Sequence, residues 1–176
     1  MRKYKVLVII GVIILVVGLF SGIVLIRNNE IKKYVLDIEK EEVLVIEKYK
    51  SRINTLTSLL DLVKDNTRNN DDIIEEIKKS INELNGLLDE NDYKKIYEVN
   101  DSLDEKINTL DKRLDRYPKF VVSDEYTNIR SEFDLSNDAI SEEEYNYNKL
   151  VYEYNKLIDA FPMSLMGYKK YEMRNN

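Results

Sequence analysis

Cysteine and histidine are both absent from the 176 residues, and their absence removes most of the chemistry a site could use. Thiolate catalysis, Cys/His zinc sites, Ser-His-Asp triads and the usual neutral-pH proton shuttle each need one of these side chains. Without cysteine there is no lipoprotein attachment point either. Helix breakers are scarce: beyond the first 26 residues only Gly86, Pro118, Pro162 and Gly167 occur, so long helices follow. No stretch alternates with period two for long enough to be a strand. Carboxylates cluster at Asp71 and Asp72, at Asp89 to Asp92, and at Glu142 to Glu144. None has the calcium-loop spacing with its glycine and terminal glutamate, so they read as solvated helix ends and faces. No metal, cofactor or catalytic residue is expected, and the chain does not read as an enzyme.

Charge is missing altogether from Val6 to Ile26. A helix over that run, at about 1.5 Å per residue, spans roughly 30 Å, the hydrocarbon thickness of a bilayer. We read it as a single membrane anchor. The other reading is a cleaved signal peptide, since Arg2, Lys3 and Lys5 supply a basic start. Such peptides have an apolar core of about 7 to 15 residues and a small-x-small cleavage site; here the core is longer and only "GLFSG" offers small residues. Gly18 and Gly22 make a G-x-x-x-G, with Ser21 beside them and Gly11 seven residues before Gly18. Small residues on one face favour close approach of two anchors and hence a homo-oligomer.

With the three basic residues ahead of the anchor set aside, 24 Lys and Arg face 33 Asp and Glu, a net charge of −9. So acidic a domain is a poor partner for nucleic acid. Basic residues flank the anchor on both sides, Arg2, Lys3 and Lys5 before it and Arg27, Lys32 and Lys33 after it. Long domains translocate regardless of charge, so the expectation is a single-pass cell-membrane protein with an extracytoplasmic bundle.

Beyond the anchor the pattern is all-α: an up-and-down antiparallel helical bundle. Residues 1–5 form a basic start, 6–26 the anchor, 27–162 the bundle, and 163–176 an aromatic and basic tail. Helices are expected at about 28–66, 70–89, 92–117 and 123–161, the first continuous with the anchor. Its apolar stripe runs Ile31, Val35, Ile38, Val45, Tyr49, Ile53, Leu56, Leu60, Val63, with Glu42 in the one missing place, a coiled-coil-like spacing. "NGLLDEND", 85–92, is a poor helix interior and favours four helices; were it helical, helices two and three would merge into a three-helix bundle. Rises of roughly 58, 30, 39 and 58 Å for the four bring the tail back to the membrane, whereas three would point it away. At the interface its aromatic and basic side chains would be at home; the bland alternative is a loosely ordered terminus.

The carboxy-terminal third carries a resemblance. "YPKFVVSDEYTNIRSEF", "YNKLVYEYNKLIDAFP" and "GYKKYE" resemble the LemA family of bacterial single-pass membrane proteins. That family shows a Tyr-Pro, a following aromatic, two Tyr-Asn pairs seven apart and a closing Phe-Pro. Here these are Tyr117 and Pro118, Tyr126, Tyr147 and Asn148, Tyr154 and Asn155, Phe161 and Pro162. "SRINTLTSLLDLVK" is similar to the family's Arg-Arg-x-Asp-Leu-Ile-Pro-Asn-Leu-Val stretch, keeping Arg52, Leu59 and Leu60 but placing Thr57 and Ser58 where proline and asparagine would fall. The family's Ala-Arg before the first Tyr-Asn becomes Glu143 and Glu144, and only Ala139 and Ala160 remain of its abundant alanine. The resemblance implies a helical bundle on an amino-terminal anchor and supplies no mechanism.

Two readings of the Tyr-Asn pairs stay open. In one, Tyr147 and Tyr154 pack in the seam with Val151 and Ile158, and Asn148 and Asn155 bridge to a neighbouring helix. In the other, these residues with Phe161 and Pro162 form a recognition face. Tyr145 and Tyr152 lie off the apolar register and are the better candidates for an exposed surface. The functional expectation is a membrane-anchored scaffold or adaptor that binds an unidentified protein partner at the cell envelope. The alternative is a sensor or receptor-like module with a small or peptidic ligand on the bundle.

Overall fold

A computed structural model describes residues 2–68 and 70–174. It contains α1 (Arg2–Asn66), α2 (Asp71–Glu90), α3 (Tyr93–Leu114), a single-turn α4 (Pro118–Val121), α5 (Asp124–Asp159) and a 3₁₀ turn (Met163–Leu165). The described residues hold no strand. Two compact units are built from these elements, Met1–Lys40 with Tyr147–Met173, and Glu41–Asn146 with Arg174–Asn176. Both draw on α1 and α5, neither of which contains a proline.

The second unit is a four-helix bundle whose topology can be read from its polar ties. Between α1 and α2, Lys50 meets Asp89 at 3.1 Å and Lys78 meets Asp61 at 3.2 Å, so the two run antiparallel. Arg113 on α3 pairs with Asp72 on α2, and Lys106 donates to Ser80, again antiparallel. Arg130 on α5 pairs with Asp111 while Tyr97 reaches Glu144, which reverses α5 against α3. The chain therefore goes up, down, up and down. Its core is the expected stripe: Val45, Tyr49, Ile53, Leu56, Leu60 and Val63 of α1 are buried, as are Ile74, Ile77, Ile81, Leu84 and Leu88 of α2. Each fully buried aliphatic side chain stabilises by about 1.5–3 kcal/mol, far more than the exposed ion pairs that mark the topology.

The break between α2 and α3 falls at the end of "NGLLDEND". Gly86 stays helical, and no atom lies within 4 Å of a Cβ built on it. Asn91 adopts φ 57°, and its N–H bonds to the carbonyl of Leu87, closing α2 with a left-handed residue. Asparagine tolerates that conformation because its short polar side chain bonds locally. Asp92 then starts α3, its carboxylate accepting from the Lys95 N–H at 3.3 Å. At its other end α3 stops at Leu114, three residues before the expected boundary. Pro118 is the reason: it disfavours a helical residue before it and itself opens α4, where its missing N–H costs nothing. Tyr117, outside the helix, donates its hydroxyl to the Arg68 carbonyl at 2.6 Å.

Asn91→Ala is expected to lower unfolding stability by about 1 kcal/mol, because alanine lacks the local bond that eases the left-handed conformation, whereas Asn91→Gly leaves it unchanged or raises it slightly. Urea unfolding followed by circular dichroism checks both.

Candidate functional site

In the first unit Tyr147, Tyr154 and Asn155 of the two Tyr-Asn pairs hold the chain's own carboxy-terminal segment. Tyr147 and Tyr154 are buried on α5 beside Val151 and Ile158. Their hydroxyls and the asparagine amide reach past the seam, and what they meet is the extended run 168–173 rather than another helix. Tyr154 donates to the Lys169 carbonyl at 3.0 Å, and Tyr147 donates to the Glu172 carbonyl at 3.4 Å. Asn155 makes two bonds to one residue: its Oδ1 accepts from the Tyr171 N–H at 3.2 Å, and its Nδ2 donates to the Tyr171 carbonyl at 2.9 Å. That is the two-point contact one strand makes with another, supplied by a side chain. Every one of these bonds goes to backbone, so the ladder grips an extended chain without reading its side chains. Tyr171 adds an edge-on ring contact with Tyr154 at 5.1 Å. Gly167 lets the chain turn into this run at φ +71°, a conformation that favours glycine. Burial pushes the Tyr154 phenol above its usual range, so it remains a neutral donor.

The second unit contains a polar core that no sequence argument above assigned. Glu144 is buried and accepts from the Tyr49 hydroxyl at 3.0 Å and the Tyr97 hydroxyl at 2.9 Å, joining α1, α3 and α5. Burial, then the neighbouring carboxylate, raises both phenols well above the ordinary tyrosine range. Arg52 is equally buried, donating to Asn100 and Asp104 with its guanidinium 4.9 Å from the Phe133 ring centroid. Arg174 lies with its guanidinium 3.6 Å from the ring centroid of Tyr93, and 3.6 Å from the Glu42 carboxylate that also accepts from Tyr93. Tyr126, beside Asp111, is pushed up to about 12, chiefly by burial.

These placements correct two expectations. The cluster Glu142 to Glu144 is not uniformly solvated: Glu144 takes the seam step between Ile140 and Tyr147, a register position visible in the spacing. Glu42 likewise fills the gap noted in the α1 stripe. Phe161 does not close the last helix, expected to run to 161, because α5 ends at Asp159; its ring packs 5.9 Å from that of Phe20, while Pro162 is buried. Arg174 had no local signal, since its partners lie on α1 and α3. Asn148 is half-buried, one heptad before Asn155. Tyr145 and Tyr152 are 67% and 52% exposed.

In the apolar run of α1, Gly11, Gly18 and Gly22 have no atom of a neighbouring element within 4 Å of an added Cβ, and Ser21 is exposed. A groove of about 570 Å³ in the first unit is lined by Arg27, Glu30, Lys33, Asp37, Glu153 and Lys156 among others, its charges partly paired with one another. Among the described residues no cluster of carboxylates is placed to hold a metal.

Asn155→Ala removes both bonds to Tyr171 and is expected to speed trypsin cleavage after Lys169 and Lys170 by roughly tenfold, matching a loss of about 1–2 kcal/mol. Limited proteolysis with mass spectrometry of the released peptide checks it. Against known proteins, no curated sequence matches the chain. Residues 42–174 match the family model of the LemA family, and this span covers both the Tyr-Asn ladder and the polar core. With 133 of its 176 residues inside that match, the chain belongs to the LemA family.

Proposed function

We infer that this protein is a membrane-anchored helical-bundle scaffold or adaptor that acts through protein–protein contact at the cell envelope. The observation that carries the reading is the exposure of Tyr145 and Tyr152 while their neighbours in the α5 seam are buried. Large aromatics standing free of the core are the side chains partner surfaces favour. The buried Glu144 and Arg52, by contrast, spend their polarity inside the fold, which supports a structural rather than catalytic role. The first part of α1 is long and apolar enough to cross a membrane, and its residues 6–26 are the proposed bilayer contact. Its open face at Gly11, Gly18, Ser21 and Gly22 favours self-association of that helix. A ligand-binding sensor is the second reading, supported by the first unit's groove. Its lining of opposed charges is unlike the mostly apolar wall of a small-molecule site, so the adaptor reading is preferred.

Two experiments test this. A photo-reactive phenylalanine analogue at Tyr145 or Tyr152 is expected to give a discrete protein adduct in cells, absent when the same analogue replaces the exposed Glu125. Indistinguishable patterns at all three positions would sink the adaptor reading. Because the chain has no cysteine, Ser102→Cys offers one thiol at an exposed position. A membrane-impermeant maleimide is expected to label it in intact cells; labelling only after lysis would put the bundle in the cytoplasm.

A further inference from the structure

The turn that follows α5 is chemically unlike everything else outside the anchor. Residues 160–168, "AFPMSLMGY", carry no charge in a chain that is 34% charged. Met163 is 1% exposed and roots the turn, whereas Phe161, Leu165 and Met166 are 73%, 71% and 48% exposed. Leaving such side chains in water forgoes about 25 cal/mol for each Å² of apolar surface, and clustered exposure of this kind marks a contact with something apolar.

The position of the turn within its unit identifies that contact. Phe161 packs against Phe20 with ring centroids 5.9 Å apart, and Phe20 lies six residues before the end of the uncharged run at Ile26. At about 1.5 Å per residue that places Phe20 roughly 9 Å inside the apolar segment. On the far side of the turn, Tyr168 donates to Asn28 at 3.0 Å, two residues past the run. The chain thus dips below the end of the apolar run and returns beside it, with a tyrosine where membrane proteins place their aromatic belts. Charges flanking the dip are held at its mouth, Lys170 meeting Asp159 at 2.6 Å.

Irregular backbone can enter hydrocarbon only if its polar groups are satisfied internally. In this turn Ser164 N–H bonds to the Ala160 carbonyl at 3.1 Å, Leu165 N–H to Pro162 at 3.1 Å and Met166 N–H to Met163 at 2.9 Å. Pro162 has no N–H to satisfy.

We propose that the 161–166 turn is a second membrane contact, which inserts Phe161, Leu165 and Met166 among the acyl chains of the leaflet from which the anchor emerges. The contact rests on residues 6–26 being the anchor. It makes the first unit a two-point attachment, one helix crossing and one turn embedded, so that α1 is held against rotation and tilt by its own partner helix.

The chain contains no tryptophan, so single replacements report depth without background. Full-length Ile14→Trp, Leu165→Trp and Tyr152→Trp proteins are reconstituted in phosphatidylcholine–phosphatidylglycerol vesicles, with or without bromine midway along the acyl chains. Ile14→Trp reports the anchor; Tyr152→Trp, nine residues before Phe161 on α5, sits roughly 14 Å further along the helix and outside the acyl region. The expected result is blue-shifted, strongly quenched emission for Leu165→Trp and Ile14→Trp, with Tyr152→Trp unquenched. Quenching of Ile14→Trp alone overturns the embedded turn and leaves the anchor standing. Equal quenching of Leu165→Trp and Tyr152→Trp overturns it as well, since the whole face would then lie on the lipid. No quenching at any position overturns the anchor and the turn together.

Discussion

A carboxylate shut away from water sets the register of three helices. Glu144 must find donors where it is buried, and it finds the hydroxyls of Tyr49 on α1 and Tyr97 on α3. Hydrogen bonds to a charged group contribute about 1.5–3 kcal/mol each, and an unsatisfied buried charge costs more than either returns, so a one-turn slip of any of the three helices is heavily penalised. An apolar stripe alone tolerates such slips, because one leucine replaces another. Arg52 imposes a second such condition, between α1 and α3 with its guanidinium on the face of the α5 ring Phe133. Two polar conditions inside a greasy seam convert a generic bundle into one packing.

The Tyr-Asn ladder applies the same economy of donors and acceptors to a segment with no secondary structure of its own. An isolated extended run leaves its backbone groups to water. Here Tyr147, Tyr154 and Asn155 supply partners from a helix, the residue types that combine a buried body with a polar tip. The heptad spacing of the pairs places both tyrosines on one face, and the extended run covers that span with fewer residues because its rise per residue is about twice that of a helix. A motif that looks like a recognition face is, in its observed state, occupied from within. Tyr145 and Tyr152, on the same helix, are exposed instead.

The residues that place the chain in the LemA family begin inside α1, past its apolar run, and include the tail through Arg174. The departures from the family pattern are coherent rather than eroded. Glu143 and Glu144, where the resemblance leads one to expect alanine and arginine, meet Lys48 and the pair of tyrosines respectively. Thr57, in place of a proline, keeps its backbone N–H, so α1 runs on without a break, and its hydroxyl donates to the Ile53 carbonyl at 2.8 Å.

Helix content, the break near residue 91, the seam of α1 and the buried positions of Tyr147 and Tyr154 were legible because each depends on local rules: spacing of apolar residues, proline and asparagine chemistry, and the absence of breakers. So was the apolar run, whose length needs only to be counted against a bilayer. Glu144 and Glu42 were legible as positions, being gaps in a register, but not as bonds, because no local rule names a partner from another helix. The end of α3 was misjudged by three residues since proline acts on its predecessors as well as itself. What only the tertiary structure decided was the fate of the tail: Tyr171 meeting Asn155, Arg174 buried against Tyr93, Phe161 leaving the seam for Phe20. Those contacts join residues far apart in the chain through backbone groups and ring faces, and backbone groups are the same in every sequence.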